Sequence, residues 1–315
     1  MTLAYYIHQL DPFLAEFAPG FGIRWYGLSY LAAFACGWWL YRLLSKKGYA
    51  NLPENQVGDF IAWWVVLGTI LGGRIGYMLF YQFDEFLQNP AQIVRVWEGG
   101  MSAHGGMLGL LIATVAYSKI YRISWLNLGD NLVVVAPAGL FFGRCANFIN
   151  GELFGRITTV PWGVQFPQEL FYNPSLGARL TQVAPSLFPP SASTENFVTT
   201  IQSSPAAQEI AATILPVRHP SQLYEAFFEG ALLLAILWIL RTRFRLPDGI
   251  LMGAFFILYA LARSSVEFFR EPDAPLIAAL TRGQFLSLFL LLGGICVLFY
   301  SIKHPQYPLR HPTKK

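Results

Sequence analysis

Charge is what this 315-residue chain has least of: Lys, Arg, Asp and Glu make up only 13% of it, while 54% is apolar and 16% aromatic. Soluble domains carry roughly a quarter charged residues. The balance excludes an ordinary soluble globule and predicts an all-α polytopic membrane protein. The net charge is only +4 and the basic residues are scattered through short loops, so no surface is offered to nucleic acid. Cysteine is also scarce. Cys36, Cys145 and Cys296 each sit in an apolar segment, without CxxC spacing or a neighbouring His. A disulfide framework, a metal centre and a protein thiol nucleophile are therefore not expected, and neither is a cofactor. The first 21 residues hold Asp11 and Glu16 but no Lys or Arg. Without a basic n-region they do not read as a cleaved signal peptide. No repeat of 20–50 residues and no inverted duplication is visible, which weakens a transporter built from paired halves.

What is present is long apolar runs. A membrane helix needs about 20 such residues, and runs of that order occur at 22–44, 57–81, 99–119, 126–148, 222–240, 249–269 and 283–302. Seven transmembrane helices are predicted. Arg42, Lys46 and Lys47 follow the first run, Lys119 and Arg122 the third, Arg241, Arg243 and Arg245 the fifth, and Lys303, Arg310, Lys314 and Lys315 the last. The positive-inside rule places the C-terminus in the cytoplasm and the N-terminus outside. Asp84, Glu85, Glu98, Glu271 and Asp273 fall on the outer side. The chain divides into helices 1–4 over 1–148, an extracytoplasmic head over 149–221, and helices 5–7 over 222–315. The head segment holds nine of the 20 prolines, between Pro161 and Pro220. It cannot be membrane helix, and its middle, 185–209, reads as the most mobile part.

On this topology the costly polar residues collect in the outer half of the membrane. Tyr26, Arg74, Tyr77, His104, Arg144, Asn147, Glu225, Glu229, Arg263 and Glu267 come from six helices. Charge at such depth is rare and is usually paired or functional. Bland readings exist for several of them. Arg144 can snorkel, Arg263 and Glu267 can neutralise each other one turn apart, and Arg74 among glycines can be a structural tie. Ser221 can cap a helix whose first turns carry Glu225, and Tyr26 can belong to an aromatic belt. His104 stands between glycine pairs at a helix start, where the neutral imidazole is favoured. Arginines, an asparagine and glycines in one leaflet fit a phospholipid headgroup, because the guanidinium fork matches phosphate.

Five stretches carry a resemblance. These are GRCANFINGELFGR at Gly143 to Arg156, HGG at His104 to Gly106, RHPSQLYEA at Arg218 to Ala226, GGRIGYMLFY at Gly72 to Tyr81, and RSSVEFFREPD at Arg263 to Asp273. Together they resemble the bacterial phosphatidylglycerol-prolipoprotein diacylglyceryl transferases over nearly the whole chain. The resemblance implies a multi-pass enzyme of the bacterial cytoplasmic (inner) membrane. Such an enzyme moves the diacylglyceryl group of phosphatidylglycerol onto the lipobox cysteine of a preprolipoprotein, forming a thioether and releasing glycerol 1-phosphate. Its partners would be phosphatidylglycerol, the lipobox peptide and membrane lipid, and a monomer is expected.

The same resemblance carries function to Tyr26, His104, Arg144, Asn147, Glu152, Gly155, Arg263 and Glu267. Arg144 and Arg263 would hold the phosphodiester, with Asn147, Glu152 and Gly155 in the phosphatidylglycerol site. Glu152, Glu267 and Asn147 would orient the arginines. His104 or the arginine field would help the substrate thiol ionise. The segment around 170–216 is the poorest fit to a typical member. The competing reading is a non-enzymatic outer-leaflet lipid or anion transporter, disfavoured because the inner halves look nearly bare of charge.

Overall fold

A helix lies within each apolar run in the computed structural model, which describes residues 5–18, 21–95, 99–272, 276 and 279–307. Glu98, Asp273, Arg310, Lys314 and Lys315, used above for orientation, lie outside them. In chain order the elements are β1 (Tyr6–Ile7), the hairpin β2 (Phe13–Ala18) and β3 (Phe21–Arg24), and α1 (Trp25–Lys46). A π-helical stretch, Phe60–Val66, leads into α2 (Leu67–Tyr81), followed by α3 (Ala103–Tyr121) and α4 (Trp125–Asn150). Next come β4 (Val164–Gln165), α5 (Pro174–Val183), α6 (Thr194–Ser203), α7 (Pro205–Ile214) and β5 (Val217–Arg218). A turn of helix at Ser221–Glu225 and a second π-helical stretch, Ala226–Leu232, precede α8 (Leu233–Arg243). The last helices are α9 (Ile250–Val266) and α10 (Arg282–Lys303). Among the described residues, four helical stretches are long and apolar enough to cross a membrane: Glu54–Leu79, Trp125–Asn150, Ser221–Arg243 and Arg282–Lys303. The protein is an all-α polytopic membrane protein with small strands added.

The chain forms two compact units, each discontinuous in sequence. The first comprises Met1–Ala33, Pro137–Leu234 and Phe256–Leu292, and the second Phe34–Ala136, Ala235–Phe255 and Gly293–Lys315.

In the first unit, the 149–221 segment builds a core of its own. Ile7, Leu170, Leu180, Phe188, Phe197, Ile201, Ala207 and Ala211 are buried together. Capping starts its helices: Ser193 Oγ accepts from Asn196 N at 3.2 Å, and Ser204 Oγ accepts from Ala207 N at 3.4 Å ahead of Pro205. The stretch 185–209, which its composition marks as the most mobile part, is instead largely helical and built into this core. Its Ser and Thr residues face outward while Phe197, Val198 and Ile201 turn inward at helical spacing. A three-stranded sheet of order β1-β4-β5 closes the segment, with β1 parallel to β4 in the register Tyr6↔Val164. His8, fully buried just beyond β1, packs on the rings of Phe148 and Phe166 at 5.4 and 5.3 Å.

The second unit contains a buried polar knot. Gly249 N and Met252 N donate to Asp130 at 2.9 and 2.8 Å, capping the start of α9. Arg241 Nε donates to Asn131 Oδ1 at 3.2 Å, its Nη2 donates to the Tyr49 carbonyl, and its Nη1 lies 3.9 Å from Asp130. Asn127 Nδ2 donates to Asp248 at 2.8 Å while its own Oδ1 accepts from Asn51 N at 2.7 Å. Two sequence expectations are corrected here. Arg241 is a buried member of α8 rather than a loop charge, and the segments flanking the expected inner loops are not bare, since Asp130, Arg241 and Asp248 are buried among them.

Two predictions follow from these cores. Removing one side of a buried pair leaves the other uncompensated, at a cost of roughly 3 to 5 kcal/mol. Arg241→Met should therefore lower the thermal midpoint and yield of purified protein far more than Arg243→Met at the neighbouring exposed position. Burial holds the His8 pKa down from 6.5 to about 4. Because the unfolded chain binds that proton more readily, the contribution of His8 is complete above pH 6.5 and is lost as pH falls toward 4. The thermal midpoint should fall over that window, and His8→Phe should flatten the dependence.

Candidate active site

Glu225 is the centre of the polar cluster in the first unit. It is fully buried and meets three guanidinium groups: Arg144 at 3.2 Å, Arg270 at 2.9 Å, and Arg263 in a short charge-assisted contact. Glu229, also fully buried, lies 3.5 Å from Arg263 and 3.7 Å from Arg144. Glu267 pairs with Arg263 at 2.5 Å, one turn along the same helical path. Three arginines thus face three carboxylates, and the cluster is close to neutral. In a low-dielectric interior each lone charge would be prohibitive, but the paired set is stable in place.

The members differ in what they have left to give. Arg263 commits its donors to Glu225, Glu229 and Glu267. Arg144 is the most open of the paired arginines in this cluster, at 19% against 14% for Arg263, and neither of its contacts is as short as those of Arg263 with Glu225 and Glu267. It lines a cavity of about 240 Å³ with Tyr26, Ser29, Tyr30, Gly143 and Asn147. The Tyr26 ring packs edge-on against Tyr30 at 5.3 Å, and their hydroxyls are 3.3 Å apart. Asn147 Nδ2 donates to Glu152 at 2.8 Å, as does Asn150 at 3.3 Å. The structure therefore brings Tyr26, Arg144, Asn147, Glu152, Arg263 and Glu267 into one unit.

Gly155 has a geometric duty. Its N–H donates to the His219 carbonyl at 2.8 Å, and a Cβ there would collide with the Phe269 carbonyl oxygen and lie 2.8 Å from His219 Cβ. The backbone bridge this permits, Gly155 to Arg270, ties the end of the GRCANFINGELFGR stretch to the chain after α9. Arg218 fixes the other side: its Nε donates to Glu169 at 3.0 Å and its Nη1 to Glu271 at 2.9 Å. Burial alone would lower the Arg218 pKa, but the two carboxylates outweigh it and raise it. His219 is held lower than usual by burial. Ser221 is not an N-cap. Pro220 occupies that position, and Ser221 Oγ donates instead to the Leu153 carbonyl at 3.0 Å.

His104 belongs to the second unit, exposed at the second residue of α3. Its helix start is rigidly built. Ser102 Oγ accepts from Gly105 N at 3.1 Å, and Ser102 N donates to the Gly73 carbonyl at 2.9 Å. Gly72 and Gly76 of α2 face Gly105 and Gly109 so closely that a Cβ on Gly76 would sit 2.6 Å from Gly105 Cα. Arg74 completes the tie. Its guanidinium donates to the carbonyls of Ile93 at 3.1 Å, Gln92 at 2.6 Å, Gly100 at 3.2 Å and Gly99. Of its two sequence readings, the structural one is observed.

Sequence reasoning put Glu225 and Glu229 in the outer polar layer without giving either a role in the site, and left Arg270 out of it. Two acids four residues apart at the head of an apolar run were the available signal, since either alone is costly there. A helix-start explanation masked it.

A family model described as prolipoprotein diacylglyceryl transferase matches residues 12–300. The chain is 41% identical over 304 residues to a phosphatidylglycerol-prolipoprotein diacylglyceryl transferase of Rhodospirillum rubrum, covering 94% of each. It is 38% identical to that of Bdellovibrio bacteriovorus, covering 98% of this chain and 99% of the relative. To that of Xylella fastidiosa it is 39% identical, covering 95% of each. A match of this length, through the segments that build the Arg144 cavity and the glycine-packed helix pair, settles its kinship: the chain belongs to the prolipoprotein diacylglyceryl transferase family.

Proposed function

We propose that this protein, a multi-pass enzyme of the bacterial inner membrane, transfers the diacylglyceryl group of phosphatidylglycerol to the lipobox cysteine of preprolipoproteins. In this reading α1, α3 and α9 also cross, making seven spans with the N-terminus and the 149–221 segment outside and the C-terminus in the cytoplasm. The observation that carries the assignment is Arg144, set on the wall of a cavity with Tyr26 and Asn147 and braced from behind by Glu225 and Glu229.

The chemistry follows from charge. The peptide thiolate attacks the glyceryl carbon that bears the phosphate, a C–S bond forms, and the C–O bond to phosphate breaks. The phosphodiester carries one negative charge and the departing glycerol 1-phosphate gains another, so a guanidinium beside it binds the transition state more tightly than the substrate. Arg144 takes that role. Arg263 holds Glu225 and Glu267 so that the Arg144 fork keeps its orientation, and Glu152 does the same for Asn147. Tyr26 borders the headgroup. Gly155 secures the backbone on which Glu152 stands. His104 accepts the thiol proton as general base.

Purified protein with labelled phosphatidylglycerol and a lipobox peptide should yield a peptide thioether. Arg144→Lys keeps the charge but loses the planar fork, and should lower that rate by about 100-fold or more at near-normal thermal stability. Arg263→Lys should lose activity and stability together. Near-normal transfer by Arg144→Lys would remove its phosphate role. For His104→Gln, the mutant-to-wild-type activity ratio should rise as pH increases from about 6.5 to 9, across the reference thiol pKa. A flat ratio would assign His104 to lipid placement and leave thiol ionisation to the arginines.

A further inference from the structure

Among the described residues, nothing covers one face of the β2–β3 hairpin. Its register pairs Ala15 with Ile23 and Ala18 with Phe21 on one side, and Phe13 with Arg24 and Glu16 with Gly22 on the other. Alternation along β3 thus separates an apolar face of Phe21, Ile23, Ala15 and Ala18 from a face bearing Glu16 and Arg24, whose guanidinium lies 4.5 Å from the Phe13 ring centroid. Two bulges on β2, between Phe13 and Ala15 and between Glu16 and Ala18, carry Leu14 and Phe17. Phe17 and Phe21 are 69% and 71% exposed, and Leu14 and Ile23 are 51% and 43% exposed. Among the described residues the hairpin packs substantially only on itself. A lone two-stranded ribbon with that much apolar surface is marginal in water. It ends at Arg24, and the next residue, Trp25, begins α1, whose Tyr30 and Leu31 are also exposed.

We propose that this hairpin is a bilayer anchor: its apolar face beds in the headgroup-acyl boundary of the leaflet at the Tyr26 end of α1. Continuity with the lipid-facing turns of α1 selects lipid over a protein partner, and the inference rests on the reading that α1 spans the membrane. An amphipathic element of this kind gains affinity from buried apolar area. Asp11 and Glu16 against Arg24 leave the ribbon without net positive charge, so anionic lipid and low salt are not required. The anchor would hold the outer end of α1, and with it Tyr26, at a fixed depth beside the lipid substrate.

The test uses single cysteines in a full-length background lacking Cys36, Cys145 and Cys296, each labelled with an environment-sensitive fluorophore in phosphatidylcholine vesicles. Phe17→Cys and Phe21→Cys should give blue-shifted emission quenched by nitroxide near the headgroups, and should keep it in about 1 M salt. Leu31→Cys should be quenched by deeper nitroxides, and Glu195→Cys should report water. Water-like emission at 17 and 21 with a lipid signal at 31 overturns the anchor alone. Water at 31 as well overturns the span reading and the anchor with it. Blue-shifted emission at 17 and 21 that depends on protein density and is insensitive to nitroxide lipid assigns the face to a second copy instead. As an independent readout, Phe17→Asp/Phe21→Asp should lower transfer from bilayer phosphatidylglycerol by about tenfold while leaving transfer from detergent-solubilised substrate unchanged. Equal rates in both settings would argue against the anchor.

Discussion

Everything functional in the first unit depends on one constraint: a carboxylate with no access to water must be shared among several cations. Glu225 satisfies it by meeting Arg144, Arg263 and Arg270 together. The pairing fixes where α4, the turn of helix at Ser221–Glu225, α9 and the residues after it lie relative to one another within the unit. Strength alone does not explain such a cluster, since a well-packed apolar replacement can be as stable. What it supplies is a guanidinium already oriented and already desolvated, which costs little reorganisation when charge develops beside it.

The second π-helical stretch serves the same placement. Ala226–Leu232 directly follows Glu225, and the extra residue in the turn changes the phase of the helix at the point where Glu229 and Gly230 must both face inward. Gly230 then sits against the backbone of Phe141, where a Cβ would lie 2.8 Å from the Phe141 Cα. Local helix geometry is exchanged for alignment of acids with arginines, as π-bulges often are at functional sites.

Much of this was legible in the chain. Apolar length announced the helices, and glycines beside Arg144 and Asn147 announced that polar groups had company rather than solvent. The Arg263 and Glu267 pair followed from spacing alone. The Glu225 hub did not, because its partners stand on other helices and a single sequence carries no distances between them. Arg241 was misread for a related reason. At a helix end a basic residue is normally solvated, and only the arrival of Asp130 and Asn131 from α4 makes its burial favourable. In 185–209 the composition is polar enough to suggest mobility. Its helices are short and strongly two-faced, so a few inward Phe, Val and Ile residues outweigh many outward Ser and Thr.

The parallel pairing of Tyr6–Ile7 with Val164–Gln165 joins residues near the start of the chain to a strand made long after them. At biosynthetic rates the interval is on the order of ten seconds. During that time β1 has no edge to pair with, and His8 has neither Phe148 nor Phe166 to cover it. The N-terminal strand must remain unpaired while the helices between it and β4 are made, and it docks only once β4 exists. Assembly of this region is therefore ordered by synthesis, and a bulky fusion placed ahead of Tyr5 would interfere with the final docking step rather than with insertion of the helices.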